Sequence, residues 1–524
     1  MLHALFCAPE IRATGGGVSE PPEPNNPDMR AIPLLCALPL VALTATESFA
    51  QETNWPQFLG PKGATAQADA AWKKNGTLGF DKTVDKLWHV ELPGGSSSPC
   101  IWGDRLFITA ADGNQSIMLA FDRKSGKELW RRQRESVALE GTLHVDSNAA
   151  APTPTTNGTH VAFYFGQYGL VVLDMDGELV WEKPMEVPAA PFGIGTSPIL
   201  FEDLLILTRD GCPDSAIHAF NIADGEELWR VPRFGFTYSF GTPYIWKNKS
   251  RTELVVAGTQ RMQGLDLASG AELWSIGGLT SFVCTTPTSD EETLYFAAWS
   301  TGDAAPDERG EATWGDTEFS ADERADALKI IARLDKNADG MLSVNEMPAS
   351  RAKDAFRFID RDGDGKASAS ELTPLIQEPK GAGNNLMVAV SAGGKGDVSK
   401  SHVQWSVRRG LPYVASPLLY DGRVYLAKAG GLVSCINATT GKAHFGPQRL
   451  EDHSEYYSTP VGVDGQVLFC SSKGTITVLR AGDEFEVLRT IEFGESIHAT
   501  PAIVDGTVYL RTDRALWAFA KNGK

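Results

Sequence analysis

The residues best suited to chemistry lie in two acidic stretches, 335–346 and 360–371, that repeat one spacing. Both match the pattern D-x-[DN]-x-[DN]-G-x₅-E in full. In such a loop, oxygen atoms at positions 1, 3, 5, 7, 9 and 12 enclose one Ca²⁺, with a backbone carbonyl at position 7 and a bidentate Glu at position 12. The sequence therefore predicts two Ca²⁺ sites. Their ligand positions are Asp335, Asn337, Asp339, Met341, Ser343 and Glu346 in loop one, and Asp360, Asp362, Asp364, Lys366, Ser368 and Glu371 in loop two.

The flanks of the two loops resemble a paired EF-hand. Ser320 and Glu323 have the spacing of a capping box at a helix start. Apolar residues one and four places before each loop predict one buried face on each entering helix: Ile331, Leu334, Phe356 and Ile359. Loop two offers four carboxylates and loop one offers three, so we expect loop two to bind Ca²⁺ more tightly. An affinity of ~10⁻⁴–10⁻³ M, as in extracellular modules, would make the metal structural.

A repeated turn motif organises the rest of the chain. Its clearest copies are 120–130, 219–229 and 264–274, which share an Asp or Asn, then a Gly, and then a Trp. The Asp or Asn side chain can accept backbone N–H groups across a tight turn, and the Gly supplies a positive φ. These acidic residues are therefore interpreted as turn caps. The Trp adds apolar surface that one four-stranded sheet cannot bury, so it must pack on a neighbouring sheet.

A second repeat marks the start of each unit with Ser or Thr followed by Pro. The eight pairs begin at Ser98, Thr153, Ser197, Thr242, Thr286, Ser416, Thr459 and Thr500. A closing strand near Trp88 precedes the first pair, and the last unit lacks one. An N-terminal strand should thus complete the C-terminal blade and remove open sheet edges. The prediction is an all-β, eight-bladed β-propeller closed by an N-terminal strand, with a small α-helical EF-hand insertion in blade five.

The A-x-D-x-x-[ST]-G-x-x-x-W motifs resemble the repeats of pyrroloquinoline-quinone (PQQ)-type propellers and cover roughly residues 86–520. The start Trp55-Pro-Gln-Phe-Leu-Gly-Pro is similar to that of secreted bacterial members. The resemblance implies the fold. It leaves the function open, because such propellers include quinoprotein dehydrogenases as well as non-catalytic scaffolds of outer-membrane assembly.

The residues just before each Ser/Thr-Pro pair should line one mouth of the central channel. This set is aromatic and polar, which suits a sugar, a quinone or a peptide. The alternative is that these residues only cap strands and fill a narrow funnel. The candidates are His144, Asp146, Asn148, Tyr238, Phe240, Phe282, Tyr413, Tyr456, Tyr457 and His498.

Whether the protein is an enzyme stays open, and the sequence favours a non-catalytic binding protein for a protein or glycan. The adjacent cysteine pair typical of alcohol-oxidising quinoproteins is absent, as is a C-x-x-C-H haem motif. No catalytic residue is assigned. The alternative is a PQQ-dependent or other small-molecule oxidoreductase that uses the channel, although PQQ is the less favoured cofactor.

The N-terminus predicts export. Met29-Arg30 precedes the apolar run 31–45, and small residues at Ser48 and Ala50 form a plausible cleavage site before Gln51. The predicted regions are a miscalled extension or tail (1–28), a signal peptide (29–50), an N-terminal segment (51–85), the propeller (86–302), the EF-hand pair (303–380) and the rest of the propeller (381–524). We expect a secreted or periplasmic protein with no transmembrane span after signal removal.

The net charge argues against some classes of binding partner, and the cysteine spacing argues against a disulfide framework. The formal net charge is −18, and residues 303–380 hold 18 acidic and 11 basic side chains, a net of −7. An acidic surface argues against nucleic acid and anionic lipid, both of which need a basic footprint. Five widely spaced cysteines follow the signal, so we expect small buried side chains and no disulfide framework.

Overall fold

The computed structural model describes most of the chain beyond residue 53. The described residues are 54–61, 63, 65–66, 79–137, 147–187, 193–211, 215–233, 239–300, 320, 322–323, 326–347, 356, 360, 363–376 and 383–520. The chain divides into units 1–48 and 49–524, and all described residues lie in the second. The predicted tail and signal peptide lie outside them. Within these ranges no helix has the length and apolar character needed to cross a membrane.

Among the described residues, eight antiparallel sheets of four or five strands form the blades, which confirms the predicted propeller, and a ninth, two-stranded sheet lies in the insertion. Blade one has strands Cys100–Trp102, Arg105–Asp112, Gln115–Asp122 and Glu128–Glu135. Blade two has Thr155–Thr156, His160–Phe165, Gly169–Asp174 and Leu179–Pro184. Blade three has Ile199–Phe201, Leu204–Arg209, Ala216–Asn221 and Glu227–Pro232. Blade four has Tyr244–Lys247, Thr252–Gly258, Arg261–Leu265 and Glu272–Gly277, and Gly396–Asp397 adds a short parallel fifth strand.

The remaining blades follow the same order from the innermost to the outermost strand. Blade five has Thr288–Ser289, Thr293–Ala298, Leu386–Ser391 and Val403–Val407. Blade six has Leu418–Tyr420, Arg423–Lys428, Leu432–Asn437 and Ala443–Arg449. Blade seven has Val461–Val463, Gln466–Cys470, Thr475–Arg480 and Val487–Glu492. Blade eight has Ala502–Val504, Thr507–Arg511 and Ala515–Phe519 from the C-terminus, completed by Lys86–Glu91.

The ring closes as predicted, because an N-terminal strand supplies the outer edge of the last blade. Lys86–Glu91 pairs antiparallel with Ala515–Phe519. Blade eight therefore contains strands from both ends of the described chain, and its two outer strands cannot separate without breaking this ladder.

The insertion interrupts blade five between its second and third strands, Thr293–Ala298 and Leu386–Ser391, which pair with each other. It contains helices α1 (Ala327–Leu334) and α2 (Ala369–Ile376). Its buried apolar side chains form a cluster of their own, separate from the clusters of the blades: Ala327, Ile330, Ile331, Leu342, Met347, Phe356, Ala367 and Leu372. The insertion is thus a small module with its own core.

The turn motifs perform the predicted role and also join neighbouring blades. The Asp122 carboxylate accepts the backbone N–H and the hydroxyl of Ser125, at 2.8 and 2.5 Å. The Trp of one blade lies on the turn glycine of the next, as Trp181 lies on Gly225. The Trp181 indole N–H then donates to the Ile222 carbonyl at 2.7 Å. The same N–H contact recurs from Trp88, Trp130, Trp229 and Trp405.

The eight Ser/Thr-Pro residues form a closed belt of hydrogen bonds around the channel. In each case a backbone N–H donates to the hydroxyl of the next blade's Ser or Thr, over 2.9–3.1 Å. The last bond runs from Thr500 N–H to Ser98 Oγ and links blade eight to blade one. All eight residues are buried. The belt therefore joins all the blades at one depth of the channel.

An N-terminal strap (Asn54–Gly60, with Thr65–Ala66) crosses the other end of the channel. Trp55 pairs with Ile101 in the innermost strand of blade one. The Pro56 carbonyl accepts the Thr156 N–H of blade two at 2.9 Å. Thr65–Ala66 pairs in parallel with Gly462 and Val463 of blade seven. Since these contacts lie away from the Ser/Thr-Pro belt, the strap covers the end of the channel opposite the predicted mouth.

Candidate functional site

The two predicted calcium loops lie side by side and are joined by a short antiparallel bridge. Leu342 pairs with Ala367, and Ser343 pairs with Lys366. Leu342 and Ala367 occupy position 8 of their loops, and both are fully buried in the core of the module. The usual branched residue at position 8 is replaced by Ala367 in loop two, yet the pairing forms. The bridge brings the predicted loops into one compact pair.

Loop one is held by hydrogen bonds between its acidic side chains and its own backbone. Asp335 accepts the N–H groups of Ala338 and Gly340 at 2.7 and 2.8 Å. Glu346 accepts the Lys336 N–H on one oxygen, and the Ser343 N–H and hydroxyl on the other, at 2.7–2.9 Å. These bonds, first of all the one from the Ser343 N–H, lower the pKa of Glu346 to about 2. Its carboxylate is therefore charged at neutral pH, as a cation ligand must be.

Loop two repeats these bonds at the equivalent positions. Asp360 accepts the Gly365 N–H at 2.9 Å, and Glu371 accepts the N–H and hydroxyl of Ser368, each at 2.8 Å. The second Asp360 oxygen, Oδ1, is buried and has no hydrogen-bond partner among the described residues. A buried unsatisfied carboxylate oxygen at position 1 fits a site that receives a cation. Asp362 and Ile359 lie outside the described residues.

The ligand oxygens are not gathered around one point in this conformation. Among the described residues, no three His, Cys, Asp or Glu side chains lie close enough together to hold a metal ion. In loop one the carboxylates instead accept loop N–H groups, and Glu346 folds back over the loop. The donor types and their order fit Ca²⁺, and Glu346 is the carboxylate that would rearrange to ligate it.

The segment that leads into loop one contains two side-chain caps. Ser320 and Glu323 exchange the two bonds of a capping box, since the Ser320 N–H donates to Glu323 at 2.8 Å and the Glu323 N–H donates to the Ser320 hydroxyl at 3.3 Å. Helix α1 itself starts after Asp326, which accepts the Leu328 N–H. Ile331 is buried on the inner face of α1, while Leu334 is only partly buried.

The central channel contains a cavity of about 220 Å³. Three aromatic rings form one side in sequence, with centroids 5.3 Å apart for Phe240 and Phe282 and 5.7 Å apart for Phe282 and Tyr413. Tyr457 and His498 stack edge to face on another side, 5.3 Å apart. The hydroxyl residues of the belt also line the cavity: Ser98, Thr153, Ser197, Thr242 and Thr500.

The structure brings six of the predicted mouth residues to this cavity: Asn148, Phe240, Phe282, Tyr413, Tyr457 and His498. Tyr456 is instead buried in the core, where its hydroxyl donates to the Asp452 carbonyl at 3.2 Å. Successive residues of an extended chain point to opposite sides, so Tyr456 turns away where Tyr457 turns inward. His144, Asp146 and Tyr238 lie outside the described residues.

The sequence did not indicate the floor of the cavity. Phe58 lines it from the strap, although Phe58 is 40 residues from the first Ser/Thr-Pro pair in the chain. Ser96, Ile194 and Cys284 also line the cavity without having been predicted. A segment that reaches the channel from its far end leaves no spacing signal, because its position follows from pairing with blades one, two and seven.

His498 is the only ionisable side chain besides tyrosine and cysteine in the described lining of the cavity. No Lys, Arg, Asp or Glu stands among the described residues that line it. Burial raises the pKa of Cys284 to about 12, so this thiol is protonated at neutral pH and is a poor nucleophile. The other described cysteines, Cys100, Cys435 and Cys470, are buried and free, as expected for small apolar side chains.

Two family profiles match the chain. The profile described as outer membrane protein assembly factor BamB matches residues 76–197 and 213–341, which contain most of blades one to five. An EF-hand profile matches residues 352–373, which contain loop two. The protein is a BamB-like, PQQ-type β-propeller with an EF-hand motif. No curated protein matches it significantly in sequence.

Solved structures share the propeller fold at low sequence identity. BamB from Moraxella catarrhalis is similar at a TM-score of 0.51 and 12% identity, over 83% of this chain and 99% of that one. The quinohemoprotein alcohol dehydrogenase ADHIIG from Pseudomonas putida HK5 is similar at 0.50 and 10% identity, over 90% and 81%. An outer membrane assembly factor and an alcohol dehydrogenase therefore share this fold, and only the chemistry of the sites can separate the two functions.

Proposed function

We propose that the protein is a secreted or periplasmic Ca²⁺-binding propeller that acts as a non-catalytic binding protein, with a glycan or protein partner at the channel mouth. The leader-like segment 29–50 supports export. The BamB profile, which describes an outer membrane assembly factor, supports a scaffold role. Residues 303–380 act as one calcium module inserted in the ring.

The matched hydrogen bonds of the two loops are the observation that carries the calcium proposal. In both loops the position-1 Asp accepts the position-6 Gly N–H, at 2.8 Å in loop one and 2.9 Å in loop two. The loops also pair at position 8. These matches support a calcium loop at both positions, although the EF-hand profile matches only loop two. We therefore assign one Ca²⁺ to each loop, with Glu346 and Glu371 as the position-12 ligands.

Calorimetric titration of the metal-free full chain with Ca²⁺ tests this assignment. The unsubstituted protein should bind two ions, and the double variant Glu346→Gln, Glu371→Gln should bind none while the propeller stays folded. The control is Glu484→Gln, which removes one exposed carboxylate from blade seven and should leave the stoichiometry at two. An unchanged stoichiometry in the double variant would refute the ligand assignment.

The lining of the cavity supports a neutral ring-shaped ligand such as the end of a glycan. Aromatic faces such as Tyr413 and Phe282 suit the C–H faces of a sugar, while hydroxyl and amide groups such as Asn148 can bond its hydroxyls. The strap closes the far end, so a ligand would enter from the mouth. Glycan-array screening followed by calorimetry of any hit tests this proposal.

Two matched variants test whether such a ligand binds in the channel. Tyr413→Ala should weaken binding about tenfold or more, because it removes a ring from the cavity wall. Phe485→Ala removes an aromatic ring from the other end of blade seven, where Phe485 packs on Phe445, and should change the affinity little. Equal effects of the two variants would show that the ligand does not use the channel.

The described lining fits PQQ poorly. PQQ carries three carboxylates, and several carboxylates buried close together are best stabilised by cationic side chains. Among the described lining residues, no Lys or Arg is present to supply one. Titration with PQQ and Ca²⁺, followed by dye-reduction assays with alcohols and sugars, tests the oxidoreductase alternative. Bound quinone with turnover would overturn the non-catalytic proposal.

A further inference from the structure

The two calcium loops differ in the side chain that they carry at position 7. Position 7 contributes only a backbone carbonyl to the metal, so its side chain is free to vary. In loop one this residue is Met341, which carries no charge. In loop two it is Lys366, which places a cation at the junction of the pair.

The bridge between the loops directs this lysine towards loop one. Lys366 pairs with Ser343, the position-9 residue of loop one. Its ammonium nitrogen lies 2.9 Å from Oδ2 of Asp339, the position-5 ligand of loop one. The other oxygen of Asp339 accepts the Met341 N–H at 3.0 Å. Both oxygens of a predicted calcium ligand are therefore engaged, one of them by a side chain of the other loop.

We propose that Lys366 competes with Ca²⁺ for Asp339 and thereby sets the calcium affinity of loop one below that of loop two. This inference rests on the proposed calcium function of both loops. A Ca²⁺ ion in loop one would share the Asp339 carboxylate with the ammonium group and would be repelled by its charge, so displacement of the lysine favours binding of the ion. The Lys366 side chain is 42% exposed and the Asp339 side chain 29%, so the pair can open to solvent.

The competition also couples the two loops. An ammonium group near a divalent cation is repelled, and this repulsion weakens with ionic strength because the groups are partly exposed. Lys366 is position 7 of loop two, where its backbone carbonyl would ligate Ca²⁺ while its side chain reaches Asp339 of loop one. Loop two should therefore fill first, and loop one should fill in a second, weaker step whose affinity approaches that of the first as salt is added.

The test measures loop one alone, by calorimetric Ca²⁺ titration of the full chain carrying Glu371→Gln. In this background, Lys366→Gln should tighten binding by about threefold to tenfold at low salt, and by less at high salt. Lys366→Arg keeps the positive charge and should keep the weak affinity. The matched control is Lys336→Gln, which removes the same charge from an exposed lysine of loop one that makes no ion pair within the described residues.

Each outcome decides the proposal. A larger gain from Lys366→Gln than from Lys336→Gln supports it. Equal gains would overturn it, because they would show an effect of net charge alone. An absence of loop-one binding both before and after the Lys366→Gln substitution would overturn it as well. If loop one does not bind but the native chain still binds one Ca²⁺, the loop-one site and this inference fail, and the calcium function of loop two stands. If the native chain binds no Ca²⁺, the proposed calcium function itself is refuted. Far-UV circular dichroism checks that each variant is folded.

Discussion

At the scale of single residues, the turn glycines are required by close contact as well as by backbone conformation. Gly225 has a φ of +74°, and a Cβ added there would lie 2.8 Å from the Trp181 ring. Gly422 has nearly the same φ, +70°, but open space around its Cα. Comparing substitutions at the two positions therefore distinguishes the effect of backbone strain from the effect of the contact between blades.

We expect Gly225→Ala to be more destabilising than Gly422→Ala by about 1–3 kcal/mol, because only at position 225 would the new methyl group overlap an indole ring, that of Trp181. The difference in unfolding free energy, measured by urea denaturation, checks this. Equal losses in the two variants would mean that the indole contact contributes nothing beyond the strain of a positive φ.

A second prediction concerns a buried ion pair that the sequence did not indicate. Arg233 donates to both oxygens of Asp210, at 2.7 and 2.9 Å, and to Gln263 at 2.8 Å. The Arg233 and Asp210 side chains are almost fully buried. Burial raises the pKa of Asp210, while the charge of Arg233 opposes that rise.

Asp210→Asn should destabilise the protein by about 3–5 kcal/mol, because the arginine would remain buried without its counter-charge. Asp176→Asn breaks the exposed pair of Asp176 with Arg105 and should cost less than about 1 kcal/mol. Thermal unfolding of both variants checks the contrast. A mild effect at Asp210 would mean that water reaches Arg233.

At the scale of elements, the Ser/Thr-Pro belt holds the blades at one level. Each of its N–H groups is buried and has the next blade's hydroxyl as acceptor. Thr500→Val keeps the shape of the side chain but removes the acceptor of the Thr459 N–H. We expect a loss of about 1–3 kcal/mol, the cost of an unsatisfied buried donor.

Thr490→Val is the control for this prediction. Thr490 lies in the outermost strand of blade seven and is partly exposed. The same substitution there should change the unfolding free energy, measured in urea, by less than about 0.5 kcal/mol. Similar losses at the two sites would indicate that the belt is a geometric coincidence of the blades and not a source of stability.

The outermost strands share a β-bulge beside their Trp, which is visible only in the strand pairing of the structure. The register shifts beside the Trp of these strands, as between Lys86 and Trp88 or between Leu179 and Trp181. A bulge adds a residue on one strand and re-aims the next side chain. It turns the Trp towards the neighbouring blade and leaves the preceding residue outward, so that Leu87, Leu129 and Leu228 are exposed.

At the scale of the whole molecule, closure depends on a segment about 430 residues from its partner. A chain that begins at Gln51 keeps both the strap and the strand Lys86–Glu91, whereas one that begins at Pro93 loses both. The shorter chain should unfold at a lower temperature and associate, because blade eight would expose an unpaired edge. Thermal unfolding and size-exclusion chromatography check this, and equal behaviour of the two chains would contradict the closure argument.

Much of the fold could be predicted because its signals are local and repeated. The turn motif of Asp122 and the Ser/Thr-Pro pairs mark strands, and their count and order predicted eight blades with Lys86–Glu91 as the closing strand. The two predicted calcium loops are also local signals, since twelve consecutive residues carry the whole ligand pattern, and the EF-hand profile matches the second of them. The channel wall was only partly predictable, because Tyr456 and Tyr457 are neighbours and pairing decides which of them faces inward.

The sequence by itself determined the elements that short-range chemistry specifies: blades, turns, ring closure and two calcium-type loops. Tertiary structure alone decided which distant groups meet. It placed Phe58 under the cavity, joined the eight hydroxyls into a belt and set Lys366 against Asp339. The physical reason is that a turn or a metal loop is encoded within a dozen residues. A contact between blades depends instead on the register and twist of whole sheets, which no single segment of the sequence specifies.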